Sequence, residues 1–532
     1  MIRLPLLFAF TAASVWLAWS FLGRPIAQPP SPLAPGEKLS CVSYTPYQAN
    51  QSPFDLPLHI SDRQIAADME RLAKITSCIR TYSAGGPQSR VTRIAANHGM
   101  TVMQGIWLDR NLAANRREIE SAIRLARLNP GKIQALIVGN EVSLRGELPK
   151  AKIAAYLQEV KHRSGLPVTY ADVWEFWLRL AELAPYVDFI TIHILPFWED
   201  MPVAAEDAAD HVRDIRAELV KRFEGKEILI GEVGWPSQGR MRAGALPSPA
   251  NQQRVLSDIV AAAKEGNWKV NYIEAFDQPW KRLLEGTVGG YWGLFDGKTR
   301  EPKFHFGEPI SDYPHWQLQA GLGIGAALIV FLAAWLGRRG SGGEDWRRDA
   351  AITVMALVTG LLFGLAIVNL TIDSAHQGDW IRALLMIVLA VAVPAVAGFA
   401  IARRIELRGF AFAVNRSYSG QLDRPALILT VLFAVSIVVA IQVAFGLVMD
   451  SRYQDFAFAA LSPIAIAFAM VAFAGKPPSR PGLAEIVAMA LLAGSALFII
   501  GNEGLRNWQA LWLASLLILL SLTALRARAA PG

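Results

Sequence analysis

The chain is short of cysteine: Cys41 and Cys78 are the only two in 532 residues. That is too few for a disulfide framework or a CxxC-type metal site. Both lie near the starts of two adjacent predicted strands, so they read either as one disulfide, which an oxidising compartment would allow, or as two buried thiols. Histidine is scarce too, at 8 residues, and no His/Asp/Glu cluster has ligand spacing along the sequence. No metal and no cofactor is therefore expected. Charge is missing from one particular place: the long apolar runs of the C-terminal part carry no Asp, Glu, Lys or Arg at their centres. Such residues mark proton relays and ion paths, so an ion-coupled transporter is disfavoured. The net charge of +7 does not point to a nucleic-acid partner, because most of the arginine excess sits between those apolar runs.

At 532 residues the chain exceeds what one hydrophobic core supports, so at least two domains are expected. Gly36 to Tyr313 mixes charged and apolar residues as soluble domains do, whereas the chain from Gln317 onward is a series of long apolar runs. Runs long enough to cross a bilayer are Leu318–Leu336, Ala351–Leu370, Ala383–Ile401, Pro425–Val448, Phe456–Ala474, Leu483–Ile500 and Trp508–Leu525. A further one, Leu4–Leu22, precedes the proline-rich stretch Pro25–Pro35 without a clear small-residue cleavage site, and reads as an uncleaved signal anchor rather than a cleaved leader. The expected organisation is an anchor over residues 1–23, a linker over 24–38, a soluble domain over 39–312 and a membrane domain of about seven helices over 313–532.

Orientation follows from the basic residues of alternate loops. One set holds Arg3, Arg338, Arg339, Arg347, Arg348, Arg403, Arg404, Arg408, Arg416, Arg424, Lys476, Arg480, Arg526 and Arg528; the other holds only Arg382, Arg452 and Arg506. Both termini are then cytoplasmic and the soluble domain lies outside the membrane, in the periplasm of a Gram-negative cell. The cytoplasmic loops are too short for a synthase domain using nucleotide sugars, so polymerisation from an activated donor would need a separate membrane synthase as partner.

The soluble part reads as α/β, a (β/α)8 barrel followed by an all-α transmembrane region. Eight β-rich runs recur: Cys41–Thr45, Cys78–Tyr82, Thr101–Trp107, Ala135–Asn140, Pro167–Ala171, Phe189–His193, Glu227–Glu232 and Tyr272–Phe276. Helical spacing lies between them, as with Ile65, Met69 and Leu72, or Val255, Ile259 and Val260. In such barrels functional groups collect at the carboxyl ends of the strands. Those ends carry Tyr44, Tyr82, Asn140, Glu141, Tyr170, Asp172, His193, Glu232, Trp235, Asp277 and Trp280. Aromatic rings that stack on sugar faces, interspersed with carboxylates that hold hydroxyls, compose a carbohydrate cleft. Glu141 and Glu232 end apolar strands four and seven, where two carboxyl groups can face each other as retaining glycoside hydrolysis requires.

Ile228 to Ser237, reading Ile-Leu-Ile-Gly-Glu-Val-Gly-Trp-Pro-Ser, resembles the nucleophile signature of family 17 glycoside hydrolases, the β-1,3-glucanase family. Val138-Gly139-Asn140-Glu141 resembles the acid/base segment, and Tyr272 to Lys281 with Trp292 to Asp296 resembles the strand-eight region. The resemblance spans roughly residues 39–305 and implies Glu232 as nucleophile, Glu141 as acid/base and Asn140 on the sugar 2-hydroxyl. With the membrane part added, the layout is similar to rhizobial membrane proteins of cyclic β-(1→3),(1→6)-glucan synthesis. That implies transfer of a glucan to an acceptor as well as hydrolysis.

Simpler readings stand beside these. Tyr44, Tyr82, Tyr170, Trp235 and Trp280 suit rim packing as well as sugar contact. Asn140 suits a helix cap, His193 a hydrogen bond within the rim, and Lys281 an ion pair with Glu274 as well as sugar contact. For the molecule, the alternatives are a plain endo- or exo-β-1,3-glucanase, or an inactive barrel that holds glucan as a scaffold.

Overall fold

A computed structural model of the chain describes residues 3–55, 57–339, 345–415, 419–420, 422–474 and 481–527. The chain divides into two compact units: residues 26–238 with 244–310, and residues 1–25, 239–243 and 311–532.

The first unit is a closed parallel barrel of eight strands in sequence order. These are β1 (Cys41–Ser43), β2 (Cys78–Arg80), β3 (Thr101–Ile106), β4 (Ile133–Asn140), β5 (Val168–Val173), β6 (Ile190–His193), β7 (Ile228–Val233) and β8 (Lys269–Tyr272). Closure is made by β1 on β8, with Cys41 opposite Asn271 and Val42 opposite Tyr272. Outer helices form where apolar residues recur at helical spacing behind a capping side chain. Ser61 caps Asp62–Leu72, which buries Ile65, Met69 and Leu72. Ser248 caps Pro249–Glu265, where Pro249 occupies the first turn without losing a needed donor. Cys41 and Cys78 form a disulfide between β1 and β2. It lies among Met103, Ala135, Ile137, Ala171 and Leu229.

Strand eight differs from the sequence expectation. The run Tyr272–Phe276 is β-rich, yet the strand in the ladder is Lys269–Tyr272. Beyond it the backbone turns to new partners: Glu274 N–H donates to Trp292 O and Ala275 N–H to Ser43 O. The proline-rich segment is also bonded in this unit, since Ile26 exchanges two backbone hydrogen bonds with Ile310, at 2.8 and 3.1 Å.

The second unit is helical. Seven of its described helices are long and apolar enough to cross a membrane: Arg3–Leu22, Trp316–Arg338, Trp346–Asp373, Gln377–Arg403, Arg424–Met449, Leu483–Glu503 and Trp508–Arg526. The run read as Phe456–Ala474 gives a shorter apolar helix, Phe458–Ala474, of 17 residues, at the lower limit of a span. Arg338, Arg403 and Arg526 close their helices and Arg424 opens one, while Arg382 lies within the Gln377–Arg403 helix. Arg416, Lys476, Arg480 and Arg528 lie outside the described residues, as do Met1 and Ile2 of the anchor.

Candidate active site

Three strand ends in the barrel break the regular ladder where chemistry-bearing residues sit. The register of β4 against β5 shifts between Ile137 and Asn140, that of β6 against β7 between Ile192 and His193, and that of β7 against β8 between Ile230 and Val233. Such irregularities re-aim side chains at barrel rims. Gly139 (φ 93°) and Glu141 (φ 52°) both lie in the left-handed region, which turns the chain out of β4 at the acid. At Gly231 the requirement is space: a Cβ there would come within 2.4 Å of Thr191 Cγ2 and 3.2 Å of His193 Cδ2.

Glu232 on β7 is 5% exposed and Arg80 on β2 is 1% exposed. A buried carboxylate must be paired, and this one is: Arg80 Nη1 lies 3.0 Å from Glu232 Oε1, which also accepts from the Tyr82 hydroxyl at 2.9 Å. The same guanidinium donates to Gly231 O at 2.6 Å and to Asn140 Oδ1, and Nη2 lies 3.3 Å from His193 Nε2. Arg80 therefore ties β2, β4, β6 and β7 together. Glu141 has a more open side chain, 22% exposed, with Oε1 2.7 Å from His193 Nδ1. Carboxylate oxygens of Glu141 and Glu232 lie within 4.8 Å of each other, close to the separation of about 5–5.5 Å found in retaining glycosidases.

Burial pushes the Glu141 carboxyl up, but the hydrogen bond from His193, with the charges of Arg80 and Arg145, brings it below the usual range. Burial and the charge of Glu232 raise the Tyr82 hydroxyl well above its usual value, so it remains a proton donor to the carboxylate.

Of the residues expected at the site from sequence, Asn140, Tyr82 and His193 touch the carboxylates or the arginine that holds them. Tyr170 and Asp172 act one step back. Ser143 N–H, in the turn after Glu141, donates to the Tyr170 hydroxyl at 2.9 Å and to Asp172 Oδ2 at 3.2 Å. Asp172 is pushed up to about 6, chiefly by burial. Three further residues expected at the cleft have their polar groups engaged within the barrel. The Tyr44 hydroxyl is spent on Asp68, at 2.9 Å, and Asp68 is also paired with Arg300. Trp235 is fully buried against Phe197 with its indole N–H on Leu246 O. Asp277 is buried in an ion pair with Lys303 at 2.8 Å and accepts from Gly293 N–H. Lys281 pairs with Glu274 at 3.0 Å, the simpler of its two readings. Trp280 is half-buried, edge-on to Tyr47 and to the exposed Phe54.

Two side chains were missed. Arg80 was legible as a lone cation in the apolar run Cys78-Ile79-Arg80, where a buried guanidinium demands a buried acid. Glu285 lies near enough to feel the charges of Glu141 and Glu232, and is raised to about 7, first by burial. No ligand spacing exists along the chain, yet the fold brings one oxygen or nitrogen each of Glu141, His193 and Glu232 within 4.8 Å of one another. The donor set fits a cation poorly, because the Arg80 guanidinium already bonds Glu232 Oε1 and faces His193 Nε2. A divalent ion there would sit against a fixed positive charge.

Residues 41–293 match the family model of the BtgE/BtgC glycoside hydrolase domain. The chain is 28% identical over 288 residues to the "Probable glucan endo-1,3-beta-glucosidase btgC" of Aspergillus fumigatus, covering 48% of this chain and 41% of that protein. It is 26% identical over 257 residues to the "Glucan 1,3-beta-glucosidase" of Arthroderma benhamiae, covering 45% of this chain and 82% of that one. The chain thus spans about two fifths of the length of the btgC relatives it matches. Among solved structures, the family 17 β-1,3-glucanosyltransferase of Rhizomucor miehei aligns with 25% identity and a TM-score of 0.43, over 50% of this chain and 98% of that one.

Proposed function

We propose that the barrel is a retaining β-1,3-glucan glycosidase and transglucosidase, with Glu232 as nucleophile and Glu141 as acid/base. The observation that carries this is the pair of carboxyl groups within 4.8 Å in unequal surroundings, Glu232 buried on Arg80 and Tyr82 and Glu141 more open beside His193. Glu141 gives a proton to the glycosidic oxygen while Glu232 attacks the anomeric carbon and the C–O bond breaks. A sugar hydroxyl or water then gives its proton to Glu141, attacks the same carbon and releases Glu232. Asn140, whose oxygen is taken by Arg80, keeps its amide N–H groups for the sugar 2-hydroxyl. β-1,3-Glucan is the substrate class, in keeping with the names of the fungal relatives.

The apolar helices and the arginine asymmetry support a multi-pass protein of a bacterial inner membrane, with both termini cytoplasmic and the barrel periplasmic. The Cys41–Cys78 disulfide agrees with an oxidising compartment. An enzyme tethered there suits remodelling of glucan delivered by a membrane synthase, with transfer to a glucan acceptor. Incubating the full-length protein with labelled β-1,3-gluco-oligosaccharides and determining product mass and linkage tests this. Products longer or more branched than the substrate support transfer, and shorter products alone make it a hydrolase. Equal inertness of wild type and Glu232→Gln overturns the enzyme reading in favour of a glucan-binding scaffold.

A further inference from the structure

His193 is fully buried at the end of β6, beside Glu232 in register and in contact through Nδ1 with Glu141. Its surroundings fix where its proton lies. The four terminal protons of the Arg80 guanidinium have four acceptors in reach: Gly231 O and Glu232 Oε1 from Nη1, and Asn140 Oδ1 and His193 Nε2 from Nη2. Arginine donates and never accepts, so the imidazole nitrogen facing it must offer its lone pair. A neutral ring with a bare Nε2 carries its proton on Nδ1. Nδ1 lies 2.7 Å from Glu141 Oε1, and the resulting N–H donates to that oxygen.

We propose that His193 is a positioning residue that Arg80 locks in the Nδ1–H form, so that it holds the anionic state of Glu141 through both half-reactions. The inference rests on the assignment of Glu141 as acid/base. In the first half-reaction Glu141 loses its proton to the leaving oxygen, and the anion it becomes already has a donor in place. In the second, that anion takes the proton of the incoming hydroxyl, a role that an ionised carboxylate performs and a protonated one cannot. The histidine thus favours the base stage, the stage at which a glucan acceptor enters, at the cost of a more acidic general acid.

The other groups facing this ring do not supply the same donor. Arg80 comes from β2, Asp172 from β5 with its carboxyl bonded to Tyr170, and Glu232 from β7 at 3.7 Å from Nε2. On the β8 side Lys281, bonded to Glu274, acts on Glu232 by charge, and Glu285 acts by charge on both Glu141 and Glu232. None of the bonds described between these groups reaches Glu141 Oε1. Without the Nδ1–H donor the burial of Glu141 acts against less opposition, and burial raises a carboxyl.

Two substitutions separate the two ring nitrogens, because the Asn amide nitrogen falls near Nδ1 and that of Gln near Nε2. The full-length protein and its His193→Asn and His193→Gln variants are compared by kcat/KM on β-1,3-gluco-oligosaccharides across pH. His193→Asn should keep the alkaline limb near its wild-type position even where the rate falls. His193→Gln should move that limb up by about one pH unit or more, as loss of a charged-group hydrogen bond demands. Coincident limbs for wild type and His193→Gln, or equal shifts in both variants, overturn the proposal. An activity-free readout accompanies it. In the 15N spectrum of histidine-labelled protein, the His193 signal, assigned by its loss in His193→Asn, should show a protonated Nδ1 and a bare Nε2. The opposite tautomer overturns the proposal even if no glucan is turned over, whereas failure of all variants on every glucan with the expected tautomer counts against the enzyme reading alone.

Discussion

Arg80 is the residue on which the site's electrostatics depend. Replacing it with methionine leaves Glu232 buried with Tyr82 as its remaining described hydrogen-bond donor. Breaking a buried ion pair on one side costs about 3–5 kcal/mol. Arg80→Met should therefore lower thermal stability more than Glu232→Gln does, measured by thermal unfolding of the two purified variants; equal losses would show that the pair adds little. Glu232→Gln should cut turnover of β-1,3-gluco-oligosaccharides by on the order of 10⁴-fold, the scale of removing a member of a catalytic unit, while Tyr82→Phe should cost far less.

Buried carboxyls also set a pH response. Burial is the largest cause in raising Asp172 and Asp277 to about 6 and Glu274 and Glu285 to about 7. A raised carboxyl means that the folded state binds more protons than the unfolded one, so its contribution to stability falls as pH rises from the ordinary carboxylate range through the folded value. The midpoint of unfolding should therefore be higher near pH 5 than near pH 7.5, with Glu285→Gln flattening the difference. A midpoint that climbs between those values would contradict this.

At the scale of elements, the disulfide closes a separation of 37 residues between β1 and β2. Chain-entropy reasoning assigns such a link about 3–4 kcal/mol. Paired replacement of Cys41 and Cys78 by serine should lower the unfolding midpoint accordingly, and an unchanged midpoint would place the barrel's stability elsewhere. The elements themselves were largely legible because apolar periodicity and caps are local properties: Ser61 before Asp62 and Ser248 before Pro249 announce their helices. Strand eight was misplaced because composition marks a residue as suited to extended chain without naming its partner, and Glu274 and Ala275 pair outside the ladder. The same limit explains the site. Glu141 and Glu232 stood out by their motifs, but whether Tyr44 or Trp235 faces the cleft depends on partners such as Asp68 and Leu246, which are remote in sequence or set by the turn.

For the whole molecule, the arginine distribution makes the topology testable. Alkaline phosphatase fused after residue 36 should be active and fused after residue 339 inactive, while the reverse pattern would place the barrel in the cytoplasm. The central claim is a covalent glycosyl-enzyme on Glu232. Treating the full-length protein with a 2-deoxy-2-fluoro-β-laminaribiosyl donor bearing a good leaving group, then mapping the added mass by peptide analysis, tests it most directly. Modification of the peptide containing Glu232, lost in Glu232→Gln, is the predicted result. Continued cleavage of β-1,3-glucan with no label on that peptide, or a label on another carboxylate, would contradict it.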